Sequence, residues 1–323
     1  MTGVSERLDD TPALGGEIAE EGWAYLDGEF VPLAGAKVSI ATHALQYGTA
    51  VFEGIRAYWS AADEQLYLFR LLDHYRRMER SARLLRIHLP GTPEELSRLT
   101  VELLRRNGLR TDVYVRPFAF KAARSVKVTL HGLRDGFAMY SFPIGAYLPV
   151  DGAVAATSSW ERVSDAAIPA RGKISGSYVN TALAVDEANE RDADEAIFLT
   201  ASGHVSEGGS SNLFMLRDGI LVTPPVTADI LEGITRESVM TLAREELGLT
   251  VVERDIDRTE LYIAEEVFFT GTGAQVAPCV RIDGRSVGEG SIGPVARRLA
   301  ESYFAIARGA DRRHPEWRTP VFR

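Results

Sequence analysis

The chain has almost no cysteine, few lysines and no long apolar run. Cys279 is the single cysteine among 323 residues, which excludes an internal disulfide and a cysteine-built metal cluster and fits a reducing compartment. A small core residue is the ordinary role for such a cysteine, and no metal is expected. No stretch approaches the about 20 apolar residues that a membrane helix needs. Residues 1–21 are polar and acidic without an apolar h-region, so a secretory signal of the usual kind is not expected and the cytoplasm is the expected location. Basic blocks are missing too. The net charge is -9, and the arginines are scattered among acids, which argues against nucleic acid or an anionic membrane as partner and for small molecules.

Lysine is the informative scarcity. Lys37, Lys121, Lys127 and Lys173 are the only ones, and arginine supplies the remaining positive charge. A guanidinium keeps its proton at any working pH, whereas a lysine can be tuned to lose it and act as a nucleophile. Lys173 sits in Pro-Ala-Arg-Gly-Lys-Ile-Ser-Gly-Ser-Tyr (169–178) among residues too small to shield it. A solvated loop charge is the common fate of a lone lysine, so its company decides. That company is Glu207 in Val-Ser-Glu-Gly-Gly-Ser-Ser-Asn-Leu-Phe, the turn Gly233-Ile234-Thr235 before a helix, and Thr270-Gly271-Thr272-Gly273. An amine that forms an imine, an acid for a ring nitrogen and two amide-rich turns for a phosphate are the parts of a pyridoxal phosphate site.

Length and a 45% hydrophobic content allow two cores. We expect a flexible tail over 1–22, a small α/β domain over 23–142, a linker over 143–153 and a large domain over 154–323. Trp23 to Pro32 reads as a hairpin turning at Asp27-Gly28, and Val38 to Ile40 as a second extended piece. Thr42 to Tyr58 mixes aromatics, glycines and charges. It fits either a pocket wall or a helix ending at Gly54 followed by a strand. Leu71, Tyr75, Met78, Ala82 and Leu85 define one face of a helix, but spacing does not say which of Arg76, Arg77, Arg80 and Arg83 points inward. Thr92-Pro93 opens another helix that Asn107-Gly108 closes.

In Val113 to Phe120, a strand, Tyr114 and Arg116 share one face, where the arginine is either a structural ion pair or a carboxylate clamp. Phe137 to Phe142 and Ala153 to Thr157 read as strands, and Tyr178 to Arg191 as a helix with Ser175 and Ser177 available as caps. Strands follow at 195–200, 212–216, 220–222 and 267–270. A helix runs from Thr235 to Gly248; its free first amides and preceding glycine suit an anion. Another runs from Pro294 to Arg308. The Gly271-Thr-Gly-Ala turn alone is a weak phosphate signal.

With these residues placed, the chain resembles the branched-chain amino acid aminotransferases, fold-type IV pyridoxal phosphate enzymes, over roughly 23–320. Its most specific segments are 43–58, 205–214, 223–236 and 266–274. The resemblance implies an α+β fold, a small N-terminal α/β domain beside a larger C-terminal domain with a β-barrel-like sheet and surrounding helices, and pyridoxal 5'-phosphate as cofactor. It makes Lys173 the Schiff-base lysine, Glu207 the partner of the pyridine nitrogen and Tyr178 that of the phenolic oxygen. Arg77, Ile234, Thr235 and Thr272 would hold the phosphate. Tyr47, Phe52, Tyr114 and Arg116 would line the substrate side, with Thr272, Gly273 and Ala274 at the substrate carboxylate. The family works as a homodimer, with Tyr47 and the 121–134 loop contributed across the interface.

The chain departs from the family in two places. A glycine-rich piece is replaced by Lys121-Ala-Ala-Arg124-Ser-Val-Lys127-Val, and Glu232 stands where a proline usually precedes the turn. The expected activity is ping-pong transamination of L-leucine, L-isoleucine and L-valine with 2-oxoglutarate. Tyr114-Val115-Arg116 favours this over a transferase of D-amino acids or (R)-amines and over an aminodeoxychorismate lyase. A non-catalytic cofactor carrier would not need both Lys173 and Glu207.

Overall fold

The computed structural model describes residues 18–322. Most of the expected tail therefore lies outside the described residues; 18–22 are exposed and irregular. The first half runs β1 (Trp23–Leu26), β2 (Glu29–Pro32), α1 (His43–Tyr47), β3 (Ala50–Phe52), β4 (Ile55–Ser60), β5 (Gln65–Phe69), α2 (Leu71–Leu84), α3 (Pro93–Asn107), β6 (Val113–Lys121) and β7 (Asp135–Pro143). The second runs β8 (Ala153–Glu161), α4 (Tyr178–Asn189), β9 (Glu195–Leu199), β10 (Val205–Gly208), β11 (Asn212–Arg217), β12 (Ile220–Thr223), α5 (Ile234–Leu247), β13 (Val251–Glu253), β14 (Glu266–Gly271), β15 (Gln275–Ile282), β16 (Arg285–Ser286), α6 (Pro294–Ala307) and β17 (Arg318–Pro320).

Two sheets result. The first has the order β17-β5-β4-β6-β7-β1-β2, with β3 also on β6; the second is β10-β9-β8-β15-β14-β11-β12-β13, with β16 on β15. The second is mixed, since β8 runs parallel to both β9 and β15. The C-terminal β17 returns to the first sheet beside β5. Helix α2 buries Leu71, Tyr75, Met78 and Ala82 against the first sheet, the face that the spacing predicts. Between the sheets, Tyr58 and Phe69 from the first meet Phe214 and Phe268 from the second, with α5 and α6 closing that core. Cys279 lies in the core of the second sheet, where burial pushes its thiol up to about 12, as suits an inert packing residue.

Local signals act as expected in several places. Asp27 and Gly28 take φ of 44° and 109° in the first hairpin, and Thr92 with Glu95 forms a full capping box on α3. Elsewhere tertiary context wins. Val38 to Ile40 is not a strand but exposed irregular chain. Of the two readings open for 42–58, the helix reaching Gly54 does not form: α1 stops at Tyr47, because Gly48 turns left-handed (φ 64°) and the Ala50-Val51-Phe52 run then pairs with β6. Ser177 stands at the N-cap of α4, yet its hydroxyl donates back to the Ile174 carbonyl and caps nothing.

Candidate active site

Lys173 is held by its backbone before its side chain does anything. Its N–H donates to Ser81 Oγ on α2 (3.1 Å), and its carbonyl accepts from Phe52 N at the end of β3 (3.1 Å). Its Nζ donates to the Tyr178 hydroxyl at 2.6 Å and stands 4.9 Å from the Phe52 ring centroid. Burial, aided by the charge of Arg77, lowers the amine to about 8, so an uncharged fraction is present near neutrality. Burial and the nearby Glu207 push the Tyr178 phenol up to about 12, which keeps its proton on.

Glu207 approaches from an irregular stretch of β10, whose register shifts between Val205 and Gly208; such bulges re-aim side chains. Arg162 Nη2 lies 2.7 Å from its Oε1. Asn212 Nδ2 and Leu231 N donate to its Oε2 at 3.0 and 3.1 Å. Burial raises its pKa although Arg162 opposes the rise. Neither Arg162 nor Asn212 is among the expected site residues, because a cation just past a strand and an amide in a polar run carry no spacing signal.

The two amide-rich turns converge on the same cavity. Gly233 is the N-cap of α5, and a Cβ there would fall 1.9 Å from Asn212 Oδ1, so only glycine fits. Ile234, Thr235, Gly271, Thr272 and Gly273 line the cavity together with Lys173, Tyr178 and Glu207, in a volume of about 270 Å³. Periodicity leaves open which arginine of α2 turns inward; the structure buries Arg77 and leaves Arg76, Arg80 and Arg83 at least partly exposed. Arg77 Nη1 donates to the Glu232 carbonyl at 3.0 Å, one residue before the α5 turn.

On the opposite wall stand Phe52, Tyr114 and Arg116. Gly54 makes room for Tyr114, since a Cβ would meet the phenolic oxygen at 1.8 Å. Arg116 rests 4.6 Å from the Phe52 centroid and donates to Tyr114 OH at 3.3 Å, while its buried Nε has no partner. Its only polar side-chain contact is neutral, so it forms no structural ion pair among the described residues. Tyr147, expected only as linker, is a further wall residue: its ring stands 3.5 Å from where a Cβ of Gly273 would sit, and its hydroxyl accepts from Ser210 Oγ at 3.3 Å.

Two expected residues lie apart. The side chain of Ala274 packs into the second sheet's core, so any role there falls to its backbone. Tyr47 is about two-fifths exposed outside the cavity and donates to Val126 O at 3.0 Å. Arg124 and Lys127 are also exposed away from the cavity. Among the described residues no group of three or more His, Cys, Asp or Glu could hold a metal ion, and no helix is long and apolar enough to cross a membrane.

Comparison with known proteins points the same way. The family model described as amino-transferase class IV matches residues 50–282. A probable branched-chain-amino-acid aminotransferase of Aquifex aeolicus is 45% identical over 301 residues, covering 93% of this chain and 97% of that protein. The crystal structure of the branched-chain aminotransferase of Thermoproteus uzoniensis with norvaline superposes with a TM-score of 0.90 at 43% identity, over 93% of this chain and 99% of that one. The branched-chain amino acid aminotransferase of Thermobaculum terrenum in its PLP form, the holo form, gives 0.90 at 38% identity, over 94% of this chain and 100% of that one.

Proposed function

This chain belongs to the class IV amino-transferase family, and from that premise we propose that it is a branched-chain amino acid aminotransferase of fold type IV. It exchanges the amino group of L-leucine, L-isoleucine or L-valine with 2-oxoglutarate in a ping-pong cycle. One observation carries the reading: a single amine of lowered pKa, Lys173, shares one cavity with a buried carboxylate, Glu207, and with the amide-rich turns at 233–235 and 271–273.

The donor set fits pyridoxal 5'-phosphate, which when bound supplies an electron sink that acidifies the α-carbon of an amino acid. Ile234, Thr235, Thr272 and Arg77 would hold its phosphate, with the dipole of α5 adding to their hydrogen bonds. Glu207 would face the ring nitrogen and keep a proton there. Tyr178 would meet the phenolic oxygen, and Lys173 would tether the group. Once free, the Lys173 amine takes the substrate's α-proton at Nζ and later returns it. The amides of Thr272, Gly273 and Ala274 would orient the substrate carboxylate. Arg116 would meet the distal carboxylate of glutamate, while Phe52 and Tyr114 offer apolar surface to a leucine side chain.

We also propose a small domain over 23–142 and a large one over 154–323, joined by 143–153. In the cytoplasm the chain acts as a homodimer, with Tyr47 and the 121–134 loop serving the second copy. The exposed Ile40, Leu45, Val126 and Val128 around Tyr47 support that surface. Borohydride reduction of the purified yellow protein, followed by peptide mapping, tests the reading. Label on Lys173 is expected, and label elsewhere or nowhere refutes it. Light scattering tests the dimer.

A further inference from the structure

Arg77 lines the cavity and bonds the α5 turn at the Glu232 carbonyl, and its orientation is set by a residue outside the mechanism above. Glu53 is wholly buried between β3 and β4. Its Oε1 accepts from Arg77 Nε at 2.7 Å, its Oε2 accepts from Arg77 Nη2 at 2.7 Å, and His74 Nδ1 reaches the same Oε2 at 2.8 Å. Burial lowers the pKa of His74, so the imidazole is neutral and donates from Nδ1. Burial alone would raise the Glu53 carboxyl, but the charge and hydrogen bonds of Arg77 hold it at about 2.

A guanidinium has five donors. Two are spent on Glu53 and one on the Glu232 carbonyl, which leaves two at the Nη end. We propose that Glu53, steadied by His74, is a positioning residue that locks the fork of Arg77 so that its remaining donors meet the phosphate of the cofactor. This inference rests on the pyridoxal 5'-phosphate reading.

The alternative for Glu53 is opposite in sign. A carboxylate beside Arg77 also cancels positive charge near a dianion, and on charge alone its removal should tighten phosphate binding. Geometry argues for positioning. In Glu53→Gln the amide NH2 would confront a guanidinium N–H or the imidazole N–H, donor against donor, and the fork would be free to swing.

The test follows cofactor loss from the full-length holoprotein on dilution, read from the visible band, with phosphate-free pyridoxal loaded on the same protein as comparison. Glu53→Gln should release pyridoxal 5'-phosphate about tenfold faster or more and change pyridoxal release by less than about twofold, as one lost charged hydrogen bond at the phosphate alone predicts. His74→Leu, which keeps every charge, should show a smaller effect of the same selectivity, and it decides the matter if Glu53→Gln does not fold. Equal acceleration for both ligands, or slower loss of the phosphorylated one, overturns the inference. A parent protein that binds neither ligand overturns the functional reading and the inference with it.

Discussion

Arg162 and Glu207 meet at 2.7 Å with both side chains buried at the cavity wall. The pair is not a surface ornament, because removing one partner from such a pair strands the other and costs about 3–5 kcal/mol. Asn212 and Leu231 N fill the second carboxylate oxygen. Glu207 is thereby fixed in place before any ligand arrives.

That fixity predicts what Glu207→Gln does. A carboxylate that acts on charge developing during reaction should matter more for rate than for binding. Single-turnover bleaching of the cofactor band by L-leucine should slow by about 10²-fold or more, while cofactor retention changes far less. Equal single-turnover rates in variant and parent would remove Glu207 from the role.

A second prediction concerns the amine. Lys173 is lowered from 10.5 to about 8, so in the cofactor-free protein its uncharged form grows as pH rises through about 8. Competitive acetylation with mass-spectrometric mapping should show Lys173 modification climbing through that range, with the exposed Lys127 as internal reference. A Lys173 curve centred near the ordinary lysine value would contradict the burial argument. Lys173→Ala should lower turnover by about 10²- to 10⁴-fold, the range of a lost general base.

Much of this site is legible in the sequence because the chemistry demands unusual residues. Lys173 stands out by scarcity, and the glycine turns at 233 and 271–273 by their small residues. What stays hidden is anything settled by tertiary packing. The inward turn of Arg77 follows from its fork on Glu53, a residue 24 positions away in the link between β3 and β4. Arg162 reaches Glu207 only because β8 and β10 both flank β9. Tyr147 reads as linker, because no local pattern says that its ring covers Gly273. In the fold, caps such as Thr92 and turns such as Asp27-Gly28 read correctly since they act locally, whereas the left-handed Gly48 cuts short a helix that residue preferences alone would have continued.

Glu195 supplies a pH prediction. It is buried without a cation partner among the described residues, accepting from Gly209 N and Ser211 Oγ at 3.0 Å each, and burial outweighs these bonds to raise it from 4.5 to about 7. Below about 4.5 both folded and unfolded chains hold the proton. Between about 4.5 and about 7 the unfolded chain releases it while the folded chain keeps it, so this group's contribution to stability falls as pH rises. Glu195→Gln, which mimics the protonated form, should gain in thermal midpoint relative to the parent across that window and then level off. A difference that does not change with pH would mean that the carboxyl is not held neutral.

The last prediction concerns the 121–134 loop, where the chain departs most from its relatives. Three bonds tie the loop to α1: His43 N to Ala123 O at 2.9 Å, His43 Nε2 to Lys127 O at 3.1 Å and Tyr47 OH to Val126 O at 3.0 Å. The loop backbone is therefore set, and Arg124 and Lys127 extend from it into solvent. Arg116, without a carboxylate partner among the described residues, faces the cavity beside Phe52. Replacing Arg124 or Lys127 with alanine should then leave the ratio of kcat/KM for L-leucine over L-glutamate within about fivefold of the parent, the scale of an exposed charge. Arg116→Leu should cost L-glutamate about tenfold or more relative to L-leucine, because the distal carboxylate loses a charge-assisted hydrogen bond that the apolar side chain never used. If Arg124→Ala or Lys127→Ala instead removes L-glutamate selectively, the loop charges reach a cavity from a second copy, and substrate choice is shared between two chains.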